Sequence, residues 1–186
     1  MGDIVDDLLG LLAGPGSMHH AGDPVTLGEH ARQCAWRAVR AGAPGSMVAA
    51  ALLHDIGHVL PAASGLSDGG DRAHEAMAAD VLSGVLPRAV VRPIALHVEA
   101  KRWLCRRDPA YAARLSPAAA NRLARQGGAM TAAEAAALEA DPHGAAAIRL
   151  RHWDEAAKVP GLAVPPLDVY WPLLRTLADG RERSAA

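Results

Sequence analysis

Ile4, Val5, Leu8, Leu9, Leu11 and Leu12 recur at helical spacing, which predicts a first amphipathic helix over residues 3–13. The stretch GPGSMHHAGDP then breaks the pattern with a loop rich in Gly, Pro and His. VTLGEHARQCAWRAVRAG reads as the next helix, ending at Gly42. SMVAAALLHDIGH reads as another, capped by Ser46 and stopped by Gly57 and Pro61. ASGLSDGGDR is a polar glycine-rich loop. AHEAMAADVLSGVL and PRAVVRPIALHVEAKRWLC are helices, with Pro93 expected to kink the second or delay its start. Residues 106–130 hold short helical pieces between two turn signals. TAAEAAALEADP carries Thr131 and Glu134 at capping-box spacing. HGAAAIRLRHWDEAAK and PPLDVYWPLLRTLA complete the series, and DGRERSAA reads as a frayed tail. The pattern predicts an all-α helical bundle in one domain over residues 1–186, with no repeat, no coiled-coil heptad and no linker.

Composition sharpens this picture. Half of the 186 residues are apolar, chiefly Ala, Leu and Val, and there is no Phe. Ala and Leu favour packed helices over sheets. A net charge of −1 leaves no basic footprint for nucleic acid, and no apolar run reaches the ~20 residues that span a bilayer. The acids of MGDIVDDLLG stand where a signal peptide needs positive charge, so a cytoplasmic protein is expected. Cys34 and Cys105 form no CxxC pattern and read as reduced, mostly buried thiols.

Against this apolar background six ligand-type side chains stand out: His30, His54, Asp55, His74, His97 and Asp154. Each is expected inside a helix, and five helices contribute them. One buried histidine is usually a satisfied core residue. Six such groups among Ala, Leu and Val are costly to bury unless they pair or bind metal. Asp55, next to His54, has two carboxylate oxygens and could bridge two ions. This much leaves two chemistries open, a hydrolase that splits phosphate esters and an iron enzyme that activates oxygen.

The order H…HD…H…H…D resembles the HD-domain superfamily, whose minimal signature would be His30, His54, Asp55 and Asp154. His74 and His97 match the additional pair used by members with a dinuclear centre. The stretches EHARQCAWRA, AAALLHDIGH, LHVEAKRWLC, DPAYAARLS, RQGGAM and LRHWDEAAKVPG resemble one branch, the phosphonate-degrading HD-domain oxygenases. That PhnZ-like branch includes 2-amino-1-hydroxyethylphosphonate dioxygenase, with myo-inositol oxygenase a more distant relative.

The resemblance implies O2-dependent oxidative cleavage of the C–P bond of a 1-hydroxyalkylphosphonate, releasing inorganic phosphate and a carboxylate. It implies two Fe ions as cofactor, mixed-valent Fe(II)/Fe(III), and a place after a 2-oxoglutarate-dependent phosphonate hydroxylase. One iron would take His30, His54, Asp55 and Asp154. The other would take His74 and His97, with Asp55 bridging. His58, Lys101, Arg151 and Gln126 would contact substrate. The family's Tyr-x-x-Glu lid pair becomes HAGD here, giving His20 and Asp23 as the gate in an N-terminal helix-and-lid region over residues 1–29. A second departure lies in LSPAAANR, at Ala119 and Arg122, where relatives carry serines. The alternatives are a metal-dependent HD phosphohydrolase acting on a nucleotide or phosphate monoester, and a degenerate, non-enzymatic HD domain that binds a ligand or partner.

Overall fold

The computed structural model describes residues 4–20, 23–60 and 74–185. Among them are eleven helices and no strand. The helices are α1 (Ile4–Ala13), α2 (Leu27–Arg40), α3 (Gly45–Leu53), α4 (His74–Ser83), α5 (Arg88–Ala95), α6 (His97–Arg107), α7 (Pro109–Arg114), α8 (Pro117–Arg125), α9 (Ala132–Ala140), α10 (Gly144–Ala156) and α11 (Trp171–Ala185). Short 3-10 turns cover Pro15–Ser17, Ile56–His58 and Leu167–Tyr170. No helix among the described residues is long and apolar enough to cross a membrane. The glycine-rich loop expected at residues 63–72 and the stop at Pro61 lie outside the described residues.

Helix α3 is the axis of the fold. Every residue from Met47 to Leu53 is buried, as expected of a helix apolar on all sides. It packs against α2, α5, α10 and α11. Leu52, Leu53, Ile56, Leu82, Leu86, Ile94 and Leu150 are fully enclosed around it. Each contributes about 1.5–3 kcal/mol by leaving water. Without Phe, the core is filled by branched aliphatics against alanine, which lets the helices approach closely. Helix α10 in turn meets α2, α3, α5 and α6, so the elements carrying the ligand-type residues converge.

Several boundaries differ from the sequence reading, each for a local reason. Helix α3 starts at Gly45 behind an extended Pro44, with no side-chain cap from Ser46. It ends at Leu53 rather than Gly57. Asp55 leaves helical geometry (φ −101°, ψ 8°), and Ile56–His58 forms a tighter turn. The expectation that all six ligand-type residues sit inside helices therefore fails for His54 and Asp55. His74 and His97 are the first residues of α4 and α6.

The single helix expected over residues 87–105 is two, α5 and α6, broken at Leu96 (φ −101°, ψ 1°). Pro93 sits inside α5, and the break follows three residues later. Thr131 and Glu134 form the expected capping box, and Thr26 and Glu29 form a second one that opens α2. The tail expected to fray instead continues as helix α11 to Ala185.

Gly57 is needed for close approach. A Cβ there would lie 2.0 Å from the backbone oxygen of His74. Gly57→Ala must push α4 away. It is expected to cost about 1–3 kcal/mol and to loosen metal retention, read by thermal melting and by metal content after dialysis.

Candidate metal centre

The C-terminal end of α3 delivers His54 and Asp55 into the core, and the helix dipole places partial negative charge there. His30 from α2 and Asp154 from α10 meet them on one side. Here His30 Nε2 lies 3.3 Å from His54 Nε2 and 3.3 Å from Asp154 Oδ1. Asp55 Oδ2 is 3.4 Å from His54 Nε2 and 3.7 Å from His30 Nε2. On the other side His74 Nε2 and His97 Nε2 stand 3.2 Å apart. Asp55 Oδ1 lies 3.7 and 3.5 Å from them. The two oxygens of Asp55 thus face two separate donor groups.

These groups fit metal ions. Donors about 2.1 Å from one ion and at right angles lie about 3 Å from each other, close to the spacings found. The ring tautomers agree. His30 Nδ1 meets Ala157 O at 2.8 Å, His54 Nδ1 meets Ala51 O at 3.0 Å and His97 Nδ1 meets Ile94 O at 2.7 Å. A carbonyl can only accept, so each Nδ1 carries a proton and Nε2 is the ring nitrogen turned inward. Burial lowers His30, but Cys34 and Asp154 outweigh it and hold its pKa well above the usual imidazole value, so an ion there would displace a proton from Nε2. His74 Nδ1 faces a carboxylate oxygen of Glu75 at 3.2 Å. Lone pairs this close repel unless a cation lies between them.

Charge points the same way. Burial raises the Asp154 carboxyl, but Arg151 and His30 outweigh it and hold it well below the usual carboxylate range. Burial likewise raises Asp55, and the surrounding histidines, His54 foremost, bring it well below that range. Burial and neighbouring His74 push His97 down to about 3, so its imidazole is neutral and able to ligate.

A small cavity of about 40 Å³ opens beside the cluster. His58, Lys101, Gln126 and Arg151 all line it, together with Asp23. Lys101 is 4% exposed, and its Nζ donates to Ala119 O (3.0 Å) and Gln126 Oε1 (3.4 Å). Burial, with Arg151 and Arg122 nearby, brings its pKa down to about 8. Gln126 ends α8, and Gly127 and Gly128 follow with positive φ (101° and 73°), so this stretch both stops a helix and lines the cavity.

Arg151 is engaged differently from a free anion contact. Its Nε donates to Tyr111 Oη at 2.9 Å, and its terminal nitrogens donate to Asp154 and Glu155. That arrangement orients Asp154. The His58 ring stacks on His74, centroids 4.1 Å apart.

The gate residues separate. Asp23 lies at the cavity, but His20 is exposed and not among the residues lining it. His19 is the loop imidazole that approaches, stacked on His58 at 5.8 Å. Which of two adjacent histidines turns inward depends on that ring contact, and the dipeptide alone carries no signal for it.

Three supporting residues were also missed. Tyr111 holds Arg151. Gln33 clamps Val159 in both directions, at 2.8 and 3.1 Å, steadying the segment that carries Ala157. Cys34, fully buried, places Sγ 3.6 Å from His30 Nε2 and forms with His30 and His54 a group able to hold an ion. Cys34 and Gln33 stand within EHARQC, one and nearly one turn after His30, and that spacing was the available signal.

No family model matches the sequence. The chain is 36% identical over 180 residues to 1-hydroxy-2-(trimethylamino)ethylphosphonate dioxygenase (glycine-betaine-forming) of Leisingera caerulea, covering 96% of this chain and 92% of that protein. It is 40% identical over 172 residues to hydroxymethylphosphonate dioxygenase of Gimesia maris, covering 91% and 85%. The chain belongs to the phosphonate dioxygenase family. As a phosphonate dioxygenase family member it is an oxygenase, and its His/Asp cluster is the place for a metal cofactor.

Proposed function

We propose that this enzyme uses O2 to cleave the C–P bond of a 1-hydroxyalkylphosphonate, releasing phosphate and a carboxylate, at a mixed-valent Fe(II)/Fe(III) pair. The observation that carries the reading is the division of Asp55 between two donor groups. One is His30, His54 and Asp154, the other His74 and His97. A phosphohydrolase of this architecture would need only the first group.

Imidazole and carboxylate donors suit iron, and the bound pair would supply the oxygen binding and electron transfer that no side chain provides. The substrate and one O2 balance the reaction: the carbinol carbon becomes a carboxylate carbon, phosphorus leaves as phosphate, and one proton is released. No external reductant is consumed.

The protein's own residues bind and orient. Lys101 supplies a desolvated positive charge for a phosphonate oxygen, one helical turn beyond His97. Gln126 and the Ala119 carbonyl hold its ammonium in place. His58, stacked on His74, borders the same space and offers a ring nitrogen. Arg151 fixes Asp154 rather than the substrate, and Asp23 lines the same cavity. His20, exposed in this conformation, reaches iron only if the loop turns, so His19 is the better gate residue.

The reaction requires a hydroxyl already on C1, which a 2-oxoglutarate-dependent hydroxylase acting upstream would supply. The free thiols of Cys34 and Cys105 fit a reducing cytoplasm.

The metal assignment is tested on protein loaded with Fe(II) and partly oxidised. Two irons per chain and an EPR signal of a coupled pair that shifts on adding hydroxymethylphosphonate are expected. One iron per chain with full activity, or hydrolysis of phosphate monoesters as the main activity, contradicts it.

A further inference from the structure

Both acceptors of the Lys101 ammonium belong to α8 and the turn that ends it, Ala119 O at 3.0 Å and Gln126 Oε1 at 3.4 Å. Only Ala119 among the residues of α8 is buried, so core packing does little to hold that helix in place. The turn continues through Gly127 and Gly128, whose φ values of 101° and 73° would strain any side chain.

Arg102, the residue after Lys101, ties this turn to α6. Consecutive helical side chains diverge by about 100°, so Lys101 enters the cavity while Arg102 reaches the segment after α8. Its Nε donates to Gly128 O at 3.0 Å and its Nη2 to Glu134 Oε1 at 2.7 Å. Its own carbonyl accepts from Met130 N at 3.2 Å. The guanidinium also lies against Gly127, where a Cβ would stand 3.4 Å from Nη2. With the side chain only 15% exposed, water competes weakly for these bonds. The stretches HVEAKRWLC and RQGGAM, separate in sequence, therefore meet at this one residue.

We propose that Arg102 is a positioning residue for phosphonate binding: by holding the Gln126–Gly128 turn on α6, it fixes the Lys101 ammonium in the cavity. Arg102 does not itself line that cavity, so it acts through Lys101. This rests on the reading of the site as a phosphonate oxygenase.

The test is a double-mutant cycle on the iron-loaded enzyme, read as O2-dependent phosphate release from whichever of hydroxymethylphosphonate and 2-amino-1-hydroxyethylphosphonate the wild type uses better. Arg102→Met keeps most of the stem and removes the guanidinium. It is expected to raise KM about 10-fold, with kcat within about threefold and iron content unchanged. In the Lys101→Ala background the same substitution is expected to add less than about twofold, because its effect runs through the lysine. Glu134→Ala removes the ion pair and half of the capping box of α9 but leaves Gly128 O to Arg102. It is expected to lower the melting temperature and hold KM within about twofold. Gly127→Ala crowds the guanidinium from the other side and is expected to raise KM as Arg102→Met does, and it carries the cycle if Arg102→Met does not fold by circular dichroism. An unchanged KM in the folded variant, an equal rise in the Lys101→Ala background, or an equal rise in Glu134→Ala overturns this inference alone. Turnover of neither phosphonate by the wild type overturns the oxygenase reading and this inference with it.

Discussion

His97→Ala is expected to abolish O2-dependent phosphate release while the helical fold survives. His97 opens α6, its Nδ1 tied to Ile94 O at 2.7 Å and its Nε2 3.2 Å from that of His74. Its loss removes one of the two imidazoles on that side of Asp55 and leaves His74 with a single carboxylate oxygen for company. Residues that only support a ligand typically cost 10- to 100-fold in metal affinity when removed, so loss of a ligand should exceed about 100-fold. Activity should fall by on the order of 10³-fold or more, because the two sites act as a unit. Metal analysis should show one iron retained per chain, held by His30, His54, Asp55 and Asp154. Retention of both irons with normal turnover would remove His97 from the centre.

Lys101→Ala should act on binding instead. The ammonium is buried, anchored by Ala119 O and Gln126, and aimed at a cavity that otherwise offers the phosphonate few cations not already paired with carboxylates. A charge-assisted hydrogen bond lost here should raise KM about 10- to 100-fold and leave iron content unchanged.

The same residue sets a pH limb. With a pKa near 8 in the free protein, Lys101 is charged below that value and neutral above it. Substrate binding should therefore weaken as pH rises through about 8. Lys101→Arg, whose side chain stays charged, should lose that limb even if its geometry raises KM overall. Loss of iron from Lys101→Ala would show that the lysine supports the metals instead.

Much of this architecture is legible in the sequence, and the reasons differ by feature. Helices α2, α9 and α10 follow from apolar periodicity and, at α9, from the Thr131–Glu134 box, which are local signals. The ligand set is legible because histidine and aspartate are conspicuous among Ala, Leu and Val. The breaks at Leu53 and Leu96 are not, because the apolar pattern runs on through both. They come from packing: the turn after Asp55 lies so close to the start of α4 that only Gly57 fits. Those breaks are what aim His54, Asp55 and His97 at one another.

The cluster of Asp23, Arg122 and Lys158 beside the cavity is equally hidden. These three residues come from separate parts of the chain and share no spacing rule. Arg151 illustrates a further limit. The sequence places it one turn before Asp154, but Tyr111 on α7 decides that it serves as an orienting group.

The direct trial of C–P bond oxidation is the stoichiometry of oxygen and phosphate. Iron-loaded enzyme is given a 1-hydroxyalkylphosphonate while dissolved O2 and released phosphate are followed together, with and without air. One O2 consumed per phosphate released, and no phosphate under anaerobic conditions, is the expected result. Phosphate released without O2 would mean hydrolysis and would contradict the oxygenase mechanism.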